Sequence, residues 1–115
     1  MLDVIVPVFN AFEDLERCLA SLRRHPGQTP YRLVLVNDAS EDPRVARLLE
    51  DTRQAPWTDT LVLANDHNQG FVRTVNRAMA LGEGDVVLLN SDTIVTAGWL
   101  DALQACVAAD ARIAT

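Results

Sequence analysis

Apolar positions in this chain fall into four short runs separated by segments with helical spacing. Asp3 to Val8, Leu33 to Val36, Thr60 to Leu63 and Val86 to Leu89 are each too short for a helix and predict strands. They are nearly continuous in Val, Leu and Ile rather than alternating with polar residues. That pattern belongs to a sheet covered on both faces, which is usually parallel. Between them, Leu15, Cys18, Leu19 and Leu22 form one helical stripe, and Val45, Leu48 and Leu49 a second. The second starts at Asp42 as N-cap with Pro43 in the first turn, where a missing N–H is tolerated. Phe71, Val75, Ala78 and Met79 predict a third helix ending near Gly82. A fourth is capped by Thr96 and turns Leu100, Leu103 and Val107 inward.

The order βαβαβαβα predicts an α/β fold: a Rossmann-like, doubly wound, mostly parallel sheet of about four strands in three α/β/α layers, with right-handed crossovers. Ala111 to Thr115 reads as the opening of a further strand. In open α/β sheets ligands bind beyond the carboxyl ends of the strands, where strand order reverses. Polar clusters stand at those ends: Pro7-Val8-Phe9-Asn10 after the first strand, Asn37-Asp38-Ala39-Ser40 after the second, and Asn90-Ser91-Asp92 after the fourth. Each alone reads as a helix cap or turn. Their convergence on one edge points to a common site.

Composition narrows the chemistry. The 115 residues, about half of them apolar, support one core, and residues 1–115 read as one unit. A net charge of −6 with no basic cluster argues against nucleic acid as a partner. All ten basic residues are Arg, so Walker-type phosphate loops and Schiff-base chemistry have no candidate lysine. No apolar run approaches the ~20 residues that span a bilayer, and the expected location is cytoplasmic, peripheral to a membrane in a longer protein. Cys18 and Cys106 read as buried reduced thiols, and His25 and His67 lack neighbours for a metal site. Trp57 and Trp99 read as packing residues, with a sugar platform kept open for Trp99.

Four segments together resemble the family 2 glycosyltransferases of the GT-A fold: Val4-Ile5-Val6-Pro7-Val8-Phe9-Asn10, Val34-Leu35-Val36-Asn37-Asp38-Ala39-Ser40, Asn68-Gln69-Gly70-Phe71 with Asn76, and Leu88-Leu89-Asn90-Ser91-Asp92-Thr93. They occur in the family's order and spacing, and span nearly the whole chain. The resemblance implies the nucleotide-sugar-binding portion of such an enzyme. Asp38 then accepts a hydrogen bond from the pyrimidine ring of the donor, which suits the imide N–H of uracil or thymine. Pro7, Val8 and Phe9 line the base, although Phe9 also reads as a core aromatic, and Asn10 and Ser91 adjoin the nucleotide. Asp92 matches the acid of a D-x-D element that holds Mg²⁺ or Mn²⁺ against the diphosphate. Asn90 replaces the usual first acid, which implies weak metal binding without nucleotide. Gly70 and Arg73 are candidates for phosphate or sugar contact, with a surface stripe shared with Arg77 the other reading of Arg73. Asp66 lies near base or ribose, or serves the turn.

The activity the resemblance implies is metal-assisted and inverting: transfer of a sugar from a UDP- or dTDP-donor to a glycan or lipid-linked acceptor, in enzymes that build polysaccharides. No residue matches the general base, so the expectation for this chain is donor binding without turnover, and self-association through the face a further segment covers in the family. A non-catalytic nucleotide-sugar-binding or scaffold module is the alternative. A receiver domain is disfavoured by Val8-Phe9-Asn10 and the missing Lys, and a nucleotidyltransferase by the missing glycine-rich opening.

Overall fold

A computed structural model describes residues 2–27, 30–80 and 86–100. In these, β1 (Leu2–Val8), α1 (Phe12–Arg24), β2 (Tyr31–Asn37), α2 (Pro43–Gln54), β3 (Asp59–Ala64), α3 (Phe71–Met79) and β4 (Val86–Leu88) follow in strict alternation. The four strands form one parallel sheet in the order β3-β2-β1-β4. The chain therefore moves outward from β1 through β2 to β3, then returns to place β4 on the other side of β1. Strand order reverses between β1 and β4, and the crevice above that point is where such sheets bind ligands.

Side-chain alternation sends each strand's residues to two faces. Leu2, Val4, Val6 and Val8 of β1, with Tyr31, Leu33 and Leu35 of β2, pack against Leu15, Cys18, Leu19 and Leu22 of α1 and Val45 and Leu49 of α2. Ile5, Val34 and Val36 face the other way, with Leu61, Leu63, Val86 and Leu88 half-buried around them, and α3 crosses this side against β1 and β2. Helices on both faces make the three-layer arrangement. The α1 stripe is buried as its spacing predicts. The α2 start is capped as predicted: the Asp42 side chain accepts from the Arg44 N–H and Pro43 occupies the first turn.

Two expectations need correction. The α3 stripe does not run to Met79, which is 43% exposed. The helix instead buries Thr74 and Val75. α3 meets the sheet above β1 and β2, and the side chains of Phe71 and Ala78 lie outside the described residues. Second, β3 is half-buried between exposed ends rather than covered on both faces, since among the described strands it lies at one edge of the sheet. Gly82, Leu103, Val107, Cys106 and the predicted strand at 111–115 lie outside the described residues. Within them, the fourth helical segment is visible at its start, where the Trp99 N–H donates to the Thr96 carbonyl at 3.1 Å and Leu100 is fully buried.

At the amino ends of the strands, away from the crevice, Asp3 is buried and receives two hydrogen bonds from the Arg32 guanidinium, at 3.0 and 2.9 Å. This bidentate geometry satisfies the charge that burial would otherwise penalise. Near the same end Trp57 donates its indole N–H to the Tyr31 hydroxyl at 2.8 Å, and Trp99 packs edge-on against Tyr31 with ring centroids 6.2 Å apart. Trp99 also donates to the His25 carbonyl. Both tryptophans are thus packing residues at the end of the sheet opposite the crevice.

Candidate functional site

The ladder continues one residue past β2, β3 and β4. The Asp38 N–H donates to the Val8 carbonyl at 2.7 Å, the Asn65 N–H to the Asn37 carbonyl at 2.8 Å, and the Leu89 N–H to the Ile5 carbonyl at 2.9 Å. This register carries Phe9, Asp38 and Asn65 to one edge. By the alternation of their strands all three belong to the α3 face, beneath the amino end of that helix.

Asp38 is the centre of the arrangement and is 5% exposed. One carboxylate oxygen, Oδ1, accepts from Asn65 Nδ2 at 2.8 Å and from the Gln69 N–H at 2.7 Å. Oδ2 accepts from the Gly70 N–H at 3.0 Å. Asn65 Nδ2 also donates to Thr74 Oγ1 at 3.1 Å. Burial pushes the Asp38 carboxyl up, but the Gln69 amide, the Asn65 side chain, the Gly70 amide and the Thr74 hydroxyl together outweigh it and hold the group below its ordinary value. Asp38 is therefore an anion at neutral pH, fixed at the start of α3, where a negative charge is also favoured by the helix dipole. Gly70 has φ +84° with nothing within 4 Å of the place a Cβ would occupy, so glycine is required there by backbone conformation alone.

Pro7, Val8, Phe9, Asp38, Asn68, Gly70 and Thr74 line a depression of about 260 Å³ at this edge. Phe9 is 46% exposed. Its ring is an apolar surface open to a planar ligand, which separates it from the core aromatic that the sequence equally allowed. A second depression, about 480 Å³, lies outboard of Asp38 and is lined by Ala64, Asn65, Asp66, His67, Gln69 and Arg73. Asp66 and Arg73 thus sit beside the Asp38 centre and not in the same cavity. His67 is exposed and its ring nitrogen Nε2 lies 3.1 Å from Gln69 Nε2.

Asn10 is turned elsewhere. Its Oδ1 accepts from the Glu41 and Asp42 N–H groups at 2.8 and 3.2 Å, and its own N–H donates to Ser40 Oγ at 2.8 Å. Asn37 Oδ1 accepts from the Ser40 N–H. These bonds tie the loop after β1 to the loop after β2. Among the described residues the non-glycine positions with positive φ are Asn10, Ala11 and Ala39, all in these two loops. Left-handed alanine costs roughly 1–2 kcal/mol, and strain of this kind concentrates where a ligand is held.

On the other side of β1, Asn90 and Thr93 close a turn through a 3.0 Å bond from the Thr93 N–H to the Asn90 carbonyl, with Ser91 and Asp92 at its corners. Asn90 and Asp92 are exposed and Ser91 is half-buried. Among the described residues no three His, Cys, Asp or Glu side chains cluster as a self-sufficient metal site. The available donors are one carboxylate and one amide oxygen, a hard set that fits Mg²⁺ or Mn²⁺ only when a ligand and water supply the other oxygens. Sequence reasoning had no signal for Asn65 or Thr74, since a polar residue after a strand or inside a helix is ordinarily a turn or a solvated position.

A parallel sheet in the order β3-β2-β1-β4, with polar side chains at the carboxyl ends of its strands, belongs to the open α/β class, whose ligand crevice lies at that edge. The profile described as "Glycosyl transferase family 2" matches residues 3–114, and the chain belongs to that family. It is 34% identical over 97% of its length to an N-acetylglucosaminyltransferase of Rhizobium leguminosarum bv. phaseoli, covering 26% of that protein. It superposes on Staphylococcus aureus TarS, residues 1–349 in complex with UDP-GlcNAc, with a TM-score of 0.79 and 25% identity, covering 94% of this chain and 31% of that one. A mannosyltransferase from Pyrobaculum calidifontis, solved with GDP-Man and Mn²⁺, shares the fold at a TM-score of 0.72 and 22% identity, over 84% of this chain and 28% of that one. The chain thus spans about a quarter to a third of the length of these relatives.

Proposed function

We propose that this chain binds the nucleoside-diphosphate sugar of a glycosyltransferase, with uracil or thymine as the donor base. The observation that carries the reading is Asp38, an ionised carboxylate on the floor of the depression beside the exposed Phe9 ring. The base stacks along Phe9 and Pro7, and its imide N–H reaches the carboxylate. A carboxylate offers about four acceptor positions. The Asn65, Gln69 and Gly70 donors are held by the fold, whereas the Thr74 hydroxyl can rotate and release a position to the ring. The UDP-GlcNAc complex of TarS and the N-acetylglucosaminyltransferase relative support a nucleotide-sugar donor.

Asp92, with Asn90 and Ser91 in the same turn, holds a divalent cation that the donor diphosphate brings with it. Such a cation supplies charge neutralisation as the nucleoside diphosphate departs. The protein's own part is to orient: Phe9 and Asp38 fix the base, the turn fixes the diphosphate, and Arg73 and the Gly70 region adjoin the outer edge. In the whole protein we place this chain in an inverting transferase acting in the cytoplasm, at a membrane surface, on a glycan or lipid-linked acceptor. The general base belongs to another segment.

The test is thermal stabilisation by UDP, dTDP and CDP, with and without Mn²⁺, for the wild type, Phe9→Ala, Asp38→Ala and Asp92→Ala. UDP and dTDP are expected to stabilise the wild type, by about 2.7 kcal/mol at a hundredfold excess over Kd. CDP stabilises it less. Phe9→Ala, whose ring is half exposed and outside the core, folds normally and loses most of the effect. Asp92→Ala loses only the Mn²⁺-dependent part. Equal stabilisation of all four proteins removes the site.

A further inference from the structure

Asp92 stands on a turn held from below by α1. Cys18, fully buried, has its Sγ 3.9 Å from the Asn90 carbonyl oxygen, at one flank of the turn. Ser21, one helical turn further along the same buried face, accepts from the Val95 N–H at 3.1 Å, at the other flank. The Ser21 hydroxyl proton is committed to the Cys18 carbonyl at 2.7 Å, so its lone pairs are fixed in the direction of Val95. The other buried α1 positions, Leu15, Leu19 and Leu22, are apolar and face the sheet core. A buried serine within a helix serves the helix less well than alanine. Here its hydroxyl satisfies a buried backbone N–H that has left the strand ladder.

We infer that Ser21, assisted by Cys18, is a positioning residue that sets the Asn90–Thr93 turn so that Asp92 meets a cation carried by the donor diphosphate. This rests on the reading of Asp92 as a cation ligand. Such a site tolerates roughly half an ångström of error, so a turn released at one flank loses cation affinity before it loses its fold. The Asp38 carboxylate is held by Asn65, Gln69 and Gly70 and does not share these bonds.

Calorimetry of UDP binding to the full chain, in chelator and in saturating Mn²⁺, separates the two corners. Ser21→Ala is expected to bind UDP without metal within about twofold of the wild type, while the gain from Mn²⁺ falls about tenfold. Ser21→Thr keeps the hydroxyl and restores most of the gain. Cys18→Ala removes only the sulfur contact and shifts the gain less, in the same direction, which keeps the test open should Ser21→Ala not fold. A full Mn²⁺ gain in Ser21→Ala and Cys18→Ala, where Asp92→Ala abolishes it, overturns the inference and leaves the cation reading standing. Equal loss of metal-free and Mn²⁺-dependent binding in Ser21→Ala also overturns it, since the serine would then be a general structural residue. An undiminished gain in Asp92→Ala sinks both.

Discussion

Ala11 and Ala39 adopt a backbone conformation that alanine disfavours, at φ 51° and 58°. Glycine at either position relieves that strain, and Ala39→Gly is expected to raise stability by about 0.5–1 kcal/mol despite the freer unfolded chain, read as a rise in Tm. UDP affinity in Ala39→Gly tests whether the strained loop is needed for binding. Asp38 works in the opposite sense. Asp38→Ala leaves the Gln69 and Gly70 N–H groups without their acceptor and is expected to destabilise by about 3 kcal/mol in denaturant unfolding. The folded carboxyl titrates below its unfolded value, so its stabilisation is complete above about pH 4 and is lost as pH falls through the lower folded value. Acid unfolding of the wild type should therefore steepen below pH 4, and Asp38→Ala should flatten that limb. Asp38 was legible only in company: an acid after a strand reads alone as a cap or turn, and its place beside the other polar clusters at one sheet edge set it apart. Asn65 and Thr74 were not: their identities suit a turn and a helix surface, and only the β2–β3 register and the α3 rotation bring both amide and hydroxyl onto the same carboxylate.

Among elements, β1 and β2 are joined by more than their ladder. Asp3 and Arg32, partners across the two strands, form the bidentate pair at the amino end of the sheet. Arg32→Met abandons a buried carboxylate and is expected to cost about 3 kcal/mol, whereas Asp3→Leu combined with Arg32→Met recovers most of it. Urea midpoints of the two single variants and the double variant give the coupling. Strands and the first two helices were readable because apolar continuity and the Asp42-Pro43 cap are local signals. The α3 face was misjudged at Met79 because helical spacing shows which residues share a stripe but not how far along the helix the sheet beneath extends. The half-burial of β3 was equally hidden, since edge position follows from strand order, a property of the whole sheet.

The whole molecule carries a formal charge of −6, and the donor proposed for it is an anionic diphosphate. Without metal, long-range repulsion should weaken UDP binding at low ionic strength, and raising salt from about 10 mM to about 150 mM should tighten it around twofold as the Debye length shrinks. With Mn²⁺ present the dependence should flatten or reverse, which calorimetry at two salt concentrations reads directly. The α/β class followed from alternation alone, while strand order decided which strand ends became neighbours. That order also has a kinetic side. The Asp38 corner is assembled by β1, β2, β3 and α3, each added beside or above its predecessor in the chain, whereas the Asp92 turn waits for β4 to return across the sheet to β1, pairing Val86 with Asp3. Closing so long a loop is entropically slow, and non-local pairing is generally late in folding. The two corners of the proposed site are thus expected to mature at different times, with amides of β1 and β2 protected from hydrogen exchange before those of β4, so that under the proposed function a refolding chain would recognise a base before it could hold a cation.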